Sequence, residues 1–144
     1  MEKKQLAEAD VRRLCAEAVQ MREMSYAPYS HFLVGAALLT KEGKIFTGCN
    51  IENAAYTPSV CAERTALFKA VSEGYRDFSA IAISGGPEGG PLQYCAPCGV
   101  CRQVMAEFCS GDFRIFLAKS EEDYESHTLM ELLPMRFGPE NLET

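Results

Sequence analysis

Three cysteines and one glutamate are spaced along this chain so that together they could do chemistry. Cys98 and Cys101 form a Cys-x-x-Cys pair, and Cys61 stands well before them in the run Cys61-Ala62-Glu63-Arg64. Residues at i and i+3 lie about 300° apart around a helix, so both thiols of the pair reach one side. A Cys-x-x-Cys pair with a distant third cysteine is a zinc-ligand set, and three protein ligands leave the fourth position open for water. Three thiolates around a divalent cation are net negative. Helices that begin at Cys61 and Cys98 would turn free N–H groups and the positive end of the dipole toward that charge. Arg64 and Arg102, each next to a ligand candidate, are placed to donate hydrogen bonds to the sulfurs.

Glu63 is the residue that makes a metal site a catalytic one. On an ideal helix, positions 61 and 63 are about 200° apart, so both approach one metal only if Cys61 sits at the helix end. A carboxylate close to a metal, but outside its ligands, moves protons to and from water. Other readings stand beside this one. The same pair serves redox chemistry or a structural zinc knuckle. Cys95 adds an overlapping Cys-x-x-Cys, and with Cys95 as fourth ligand the site would be closed and structural. Pro97 favours a helix opening at Cys98, which leaves Cys95 in the preceding loop. A glutamate in a first helical turn also serves simply as a partner of the dipole.

The elements that must position these groups can be read from periodicity. Residues 5–24 place apolar side chains among charges at helical spacing and predict an amphipathic helix. Residues 32–40 are a continuous apolar run, a buried strand, and residues 45–50 are its hairpin partner across the turn 41–44. A helix is expected over 61–73, stopped by Gly74. Further strands are expected over 78–84 and 113–117, a helix over 98–108, and a short strand and helical turn over 124–133. The glycine-rich stretch 85–91 reads as a flexible loop, and without a Gly-Lys-Ser/Thr ending it has no phosphate-binding role. The order β-β-α-β-α-β, with a possible fifth strand, predicts a mixed sheet with helices on its faces.

At 144 residues the chain is expected to be a single domain spanning 1–144. Its apolar runs are far short of the roughly 20 residues of a membrane helix, so no membrane partner is expected. The charged first ten residues predict no secretory leader and a cytoplasmic location. Seven cysteines in a reducing compartment argue against a disulfide framework. Cys15, Cys49 and Cys109 read as buried small apolar groups. The net charge of −6 is all in residues 121–144, where seven acids face Arg136 alone; these read as a solvated acidic tail. No basic stripe is visible, so a nucleic acid polymer is not expected as a partner.

The motifs also resemble a known family. Cys61-Ala62-Glu63-Arg64-Thr65-Ala66 and Pro97-Cys98-Gly99-Val100-Cys101-Arg102-Gln103 resemble the three-cysteine form of the small zinc-dependent cytidine deaminases. The resemblance extends to residues 29–37 and 48–54, to Glu131-Leu132-Leu133-Pro134 and to Phe137-Gly138-Pro139. It implies a cytidine deaminase-like three-layer α/β/α fold with about five strands. It implies one zinc per subunit on Cys61, Cys98 and Cys101, and Glu63 as proton shuttle while zinc-activated water attacks C4 of the base. The reaction implied is hydrolysis of cytidine and deoxycytidine to uridine and deoxyuridine plus ammonia, as in pyrimidine salvage. Asn50 and Glu52 match residues that hold the ribose, and Phe32, Ala54 and the Ala62 N–H match positions near the substrate. Tyr56 and Phe137 match positions that reach a neighbouring subunit's site, which implies a homotetramer with shared active sites. Arg64, and Gln103 with it, are expected to tune the thiolates. Deamination of a cytosine-nucleoside antibiotic on the same scaffold, and a structural zinc module, are the alternatives.

Overall fold

Alternate residues of the central strands divide the core in two. In β1 (Phe32–Thr40), Ala36 and Leu38 face one way, Ala37 and Leu39 the other. The same split runs through β3 (Phe78–Pro87), with Ile81 and Ile83 opposed to Ala80 and Ala82. In β4 (Arg114–Ala118) it sets Ile115 and Leu117 against Phe116 and Ala118. Strands covered on both faces need apolar side chains at every position, which is why they read as continuous runs. One face packs on α2 (Ala62–Ser72) and α3 (Gly99–Phe108) through Ala66, Leu67, Ala70 and Met105. The other packs on α1 (Glu8–Met21) through Val11, Leu14, Cys15 and Ala18. The result is three layers, α/β/α, in a computed structural model that describes residues 6–142.

The sheet order is β2-β1-β3-β4-β5, with β2 at Ile45–Cys49 and β5 at Tyr124–Thr128. β1 runs antiparallel to β2 and β3, β3 runs parallel to β4, and β5 is antiparallel to β4. The parallel pair requires a crossover, and α3 is that crossover. Its N-terminus therefore lies toward the carboxyl end of β3, where open α/β sheets place their ligands. Two glycines bring helices onto the sheet. A Cβ on Gly48 would lie 2.5 Å from the Ala62 carbonyl oxygen of α2, and one on Gly35 would lie 2.0 Å from that of Ala18 in α1.

Several expectations are corrected. Residues 85–87 belong to β3, which continues to pair with β1 as far as Phe32↔Pro87. The glycines there serve close approach: a Cβ on Gly86 would meet the Pro91 carbonyl oxygen at 2.6 Å. β2 stops at Cys49; Asn50 N still donates to Val34 O at 3.2 Å, and the Asn50 side chain supplies the return bond, accepting from Val34 N at 2.9 Å and donating to Phe32 O at 2.8 Å. The predicted helix 5–24 is α1 followed by a 3-10 turn at Arg22–Met24, and residue 5 lies outside the described residues. The acid-rich segment is folded over residues 121–142, while its acids stay exposed as expected. It forms β5 and α4 (Leu129–Leu132), Glu122 pairs with Arg12 at 2.7 Å, and Glu131 closes a capping box with Thr128. Cys15, Cys49 and Cys109 are buried as expected. No helix among the described residues is long and apolar enough to cross a membrane.

Candidate active site

The three sulfurs meet where two helices begin. Cys61 is the N-cap of α2 and Cys98 the N-cap of α3; both have extended backbone. Cys101 lies one turn into α3 and is fully buried. The Cys61–Cys98 sulfurs are 3.7 Å apart and the Cys98–Cys101 sulfurs 3.5 Å, and Cys101 N donates to Cys98 Sγ at 3.4 Å. Ligand sulfurs about 2.3 Å from a tetrahedral zinc lie about 3.8 Å from one another, close to the two spacings here, and all three sulfurs lie within 4.8 Å of one another. Among the described residues it is the one cluster of metal-ligating side chains, and Cys95 is not part of it. No fourth side chain among the described residues joins the group, and a tetrahedral ion held by three ligands would keep one position for solvent.

Because Cys61 caps its helix from an extended backbone, Glu63 in the first turn comes to the same place. Glu63 is only 3% exposed. Burial pushes its carboxyl up to about 7, and the Cys61 thiolate adds to the rise. Hydrogen bonding from Cys101, then from Arg64, brings Cys61 down to about 5. Cys101, the donor to that thiolate, is correspondingly raised. Arg64 Nη2 donates to Cys61 Sγ at 3.4 Å, while its buried Nε has no hydrogen-bond partner. A guanidinium held this way suits a negatively charged sulfur cluster. Burial raises Cys95 to about 11, which keeps it a neutral thiol.

The expected partners on the other side of the sulfurs are elsewhere. Arg102 donates to Pro97 O at 2.7 Å and to Leu132 O at 2.6 Å, and Gln103 Nε2 donates to Phe137 O at 2.8 Å. Both point their donors at backbone carbonyls of neighbouring segments, so neither touches a sulfur.

A cavity of about 290 Å³ opens beside Glu63 and Cys61, with Asn50 and Glu52 in its wall and Ala62 at its base. Asn50 is held by its two bonds to β1, which leave one N–H and one lone pair free. Glu52 accepts from Tyr29 N at 3.0 Å and Ser30 N at 3.1 Å on one oxygen, and from the Ser30 hydroxyl on the other. The Ser30 hydroxyl bond leads the effects that hold this carboxyl below the usual range. Phe32 rests against Gly85 and is not in the cavity wall; Ala54, Tyr56 and Phe137 also lie outside it, Tyr56 and Phe137 being 73% and 58% exposed. Val34, Ser59, Val60 and Ala96 do line it. Ser59 and Val60 directly precede Cys61, Ala96 precedes Pro97, and Val34 lies within the 29–37 block, so adjacency to the motifs was the signal that could have found them. A larger cleft of about 750 Å³, at the other end of the sheet between Lys41, Phe78 and Arg114, contains none of the sulfurs or Glu63.

Comparison with known proteins agrees with this geometry. Residues 9–117 match the model of the cytidine and deoxycytidylate deaminase zinc-binding region. The chain is 52% identical over 133 residues to cytidine deaminase of Sporosarcina psychrophila, covering 92% of this chain and 95% of that one. It is similar to the crystal structure of cytidine deaminase from Burkholderia pseudomallei, with a TM-score of 0.78 and 48% identity over 87% of this chain and 97% of that one. It is also 31% identical over 124 residues to the blasticidin-S deaminase of Bacillus cereus, covering 83% of this chain and 86% of that one.

Proposed function

Because the chain belongs to the cytidine and deoxycytidylate deaminase family, whose zinc-binding region it carries, we propose that it hydrolyses cytidine and deoxycytidine to uridine and deoxyuridine plus ammonia. The observation that carries this reading is a buried glutamate beside a three-sulfur group, at the base of a cavity with polar acceptors in its wall. Cys61, Cys98 and Cys101 would hold one zinc per subunit. Bound there, zinc supplies a Lewis acid that brings water to a nucleophilic state near neutral pH. Glu63 takes a proton from the water as its oxygen bonds to C4 of the base, and delivers that proton to ring N3. It then carries the second proton to the amine as the C4–N bond breaks and ammonia leaves. A carboxyl near 7 is suited to both halves of that task, since it gives and takes a proton with little cost.

Asn50 and Glu52 supply the sugar end. Their remaining hydrogen-bonding capacity, held rigidly by β1 and by the 29–30 turn, suits the hydroxyls of ribose. The same carboxylate works against a phosphorylated substrate. Arg64 is the one cation in the wall among the described residues, and it is bound to Cys61. A phosphate would therefore meet Glu52 with no free cation to balance it, so a nucleoside is preferred to a nucleotide. We place the reaction in pyrimidine salvage in the cytoplasm. We also read the protein as a homotetramer in which Tyr56 and Phe137 serve a neighbour's cavity; their exposure in the single chain supports this.

Ammonia release from cytidine, followed beside Glu63→Ala, tests the reading. The parent should turn over, and the variant should keep its zinc and be inert. A metal-loaded parent that leaves cytidine and deoxycytidine untouched but hydrolyses blasticidin S would shift the substrate to the antibiotic class.

A further inference from the structure

The segment after α4 is exposed, yet α3 holds it closely. Met135 is fully exposed and adopts a left-handed backbone at φ 52°, and Phe137 is 58% exposed. Three side-chain donors fix the backbone around them. Arg102 binds Leu132 O at 2.6 Å, Gln103 binds Phe137 O at 2.8 Å, and Arg136 Nη1 returns to Cys109 O at 2.8 Å. Beyond Phe137, Gly138 N is held by Asn141 Oδ1 at 2.9 Å. Arg102 and Gln103 directly follow the sulfur of Cys101 on α3. The helix that carries two of the three sulfurs therefore also grips the backbone of an aromatic residue that does nothing for its own core.

The cavity lacks what this segment offers. Among the described residues none of its lining is aromatic, whereas sites for planar rings usually present an aromatic surface. We propose that Gln103 is a positioning residue for deamination: its amide fixes the Phe137 carbonyl so that the ring is held ready to complete the cavity of a second copy of this chain. This rests on the reading that Phe137 serves a neighbouring subunit. Gln103 itself is exposed and its amide goes to a carbonyl, so its action is on the pose of Phe137 rather than on the sulfurs. The coupling makes each α3 the frame of two sites, its own sulfur cluster and the aromatic wall of another.

The test uses the assembled, zinc-loaded enzyme with Gln103→Met, Gln103→Glu, Phe137→Ala and the double variant Gln103→Met/Phe137→Ala. Zinc content, sedimentation at the assay concentration, and kcat and KM for cytidine are measured. Met keeps the volume but loses the donor, and Glu keeps the shape but replaces the donor with an acceptor. Both should raise KM about 5–10-fold, the worth of one neutral hydrogen bond, with kcat, zinc and assembly kept. Phe137→Ala should raise KM at least as much, and the double variant should be no worse than Phe137→Ala alone, as expected for groups acting through one another. If Phe137→Ala raises KM but the Gln103 variants do not, the positioning role falls and the shared cavity stands. If Phe137→Ala leaves KM unchanged, the shared cavity falls and takes this inference with it. Loss of zinc, loss of assembly, or additive effects in the double variant would each give Gln103 a different role and overturn the proposal.

Discussion

Gly48→Ala is a one-carbon change that pushes α2 off the sheet. The added Cβ would lie 2.5 Å from Ala62 O, 2.6 Å from Ala66 N and 3.0 Å from the Thr65 Cβ. Ordinary contact begins at 3.4 Å, so α2 must retreat by 0.9 Å against its nearest atom. Two of the three opposing atoms are backbone, so no side chain can turn aside to spare the helix. Overpacking of this kind costs about 1–3 kcal/mol. At about 2–4 °C per kcal/mol for a chain of this size, the melting temperature should fall by about 2–12 °C. Cys61 caps α2, which carries Glu63, whereas Cys98 and Cys101 stay with α3, so the 3.7 Å spacing between Cys61 and Cys98 must change. A displacement near 1 Å costs about 100-fold in rate. Thermal unfolding, zinc content and kcat/KM per folded molecule read the outcome. Gly35→Ala is the control: its Cβ would meet α1 at 2.0 Å on the opposite face, where none of Cys61, Cys98, Cys101 and Glu63 sits. That variant should be destabilised at least as much and keep its kcat/KM per folded molecule. A Gly48→Ala protein with unchanged melting, full zinc and unchanged kcat/KM would refute the argument; so would a Gly35→Ala protein equally impaired in rate.

Arg64→Ala removes the donor to Cys61 and should weaken zinc retention by about 10–100-fold, measured by competition with a chelator. Cys95→Ser should keep its metal and its activity, since Cys95 is outside the sulfur group; loss of zinc on this change would point to a fourth ligand. Glu52 is lowered in the folded chain, chiefly by the Ser30 hydroxyl. Its hold on the 29–30 turn is therefore complete above the ordinary carboxylate range and lost as pH falls through the lowered value. Hydrogen exchange should show the Tyr29 and Ser30 amides losing protection in that acid window, and Glu52→Gln should show the loss at neutral pH. Deoxycytidylate should be a poor substrate beside deoxycytidine, and Glu52→Gln should narrow the difference, as read from the ratio of the two kcat/KM values.

The central strands were legible because every residue of 36–39, 80–83 and 115–118 is apolar and both faces of the sheet are covered. The metal cluster was legible because its spacing carries the geometry: an N-cap cysteine and an i, i+3 pair. What the sequence hid is long-range. Gly85 and Gly86 look like turn glycines, but their role is to admit Cys95 and Pro91, several residues further on. Arg102 stands beside a ligand, yet its donors find carbonyls at 97 and 132. The acids of 121–131 are exposed, as a solvated run should be, but their segment is folded, and its partner Arg12, which pairs with Glu122, is more than a hundred residues away in the chain. In each case the deciding partner is placed by the fold, and adjacency in sequence is a poor guide to it.

The terminal strand β5 has a protective consequence. β4 is apolar at Ile115, Phe116, Leu117 and Ala118, and β5 covers its outer hydrogen-bonding side from Arg114↔Thr128 to Ala118↔Tyr124. β5 itself is polar, with Glu125 and His127 paired at 3.1 Å along the rim. An unpaired greasy strand recruits other chains by backbone pairing, and charge on the outermost strand discourages this. Trimming the chain after Ala118 would thus leave a sticky template on every molecule, so insolubility would arrive before any loss at the sulfur cluster.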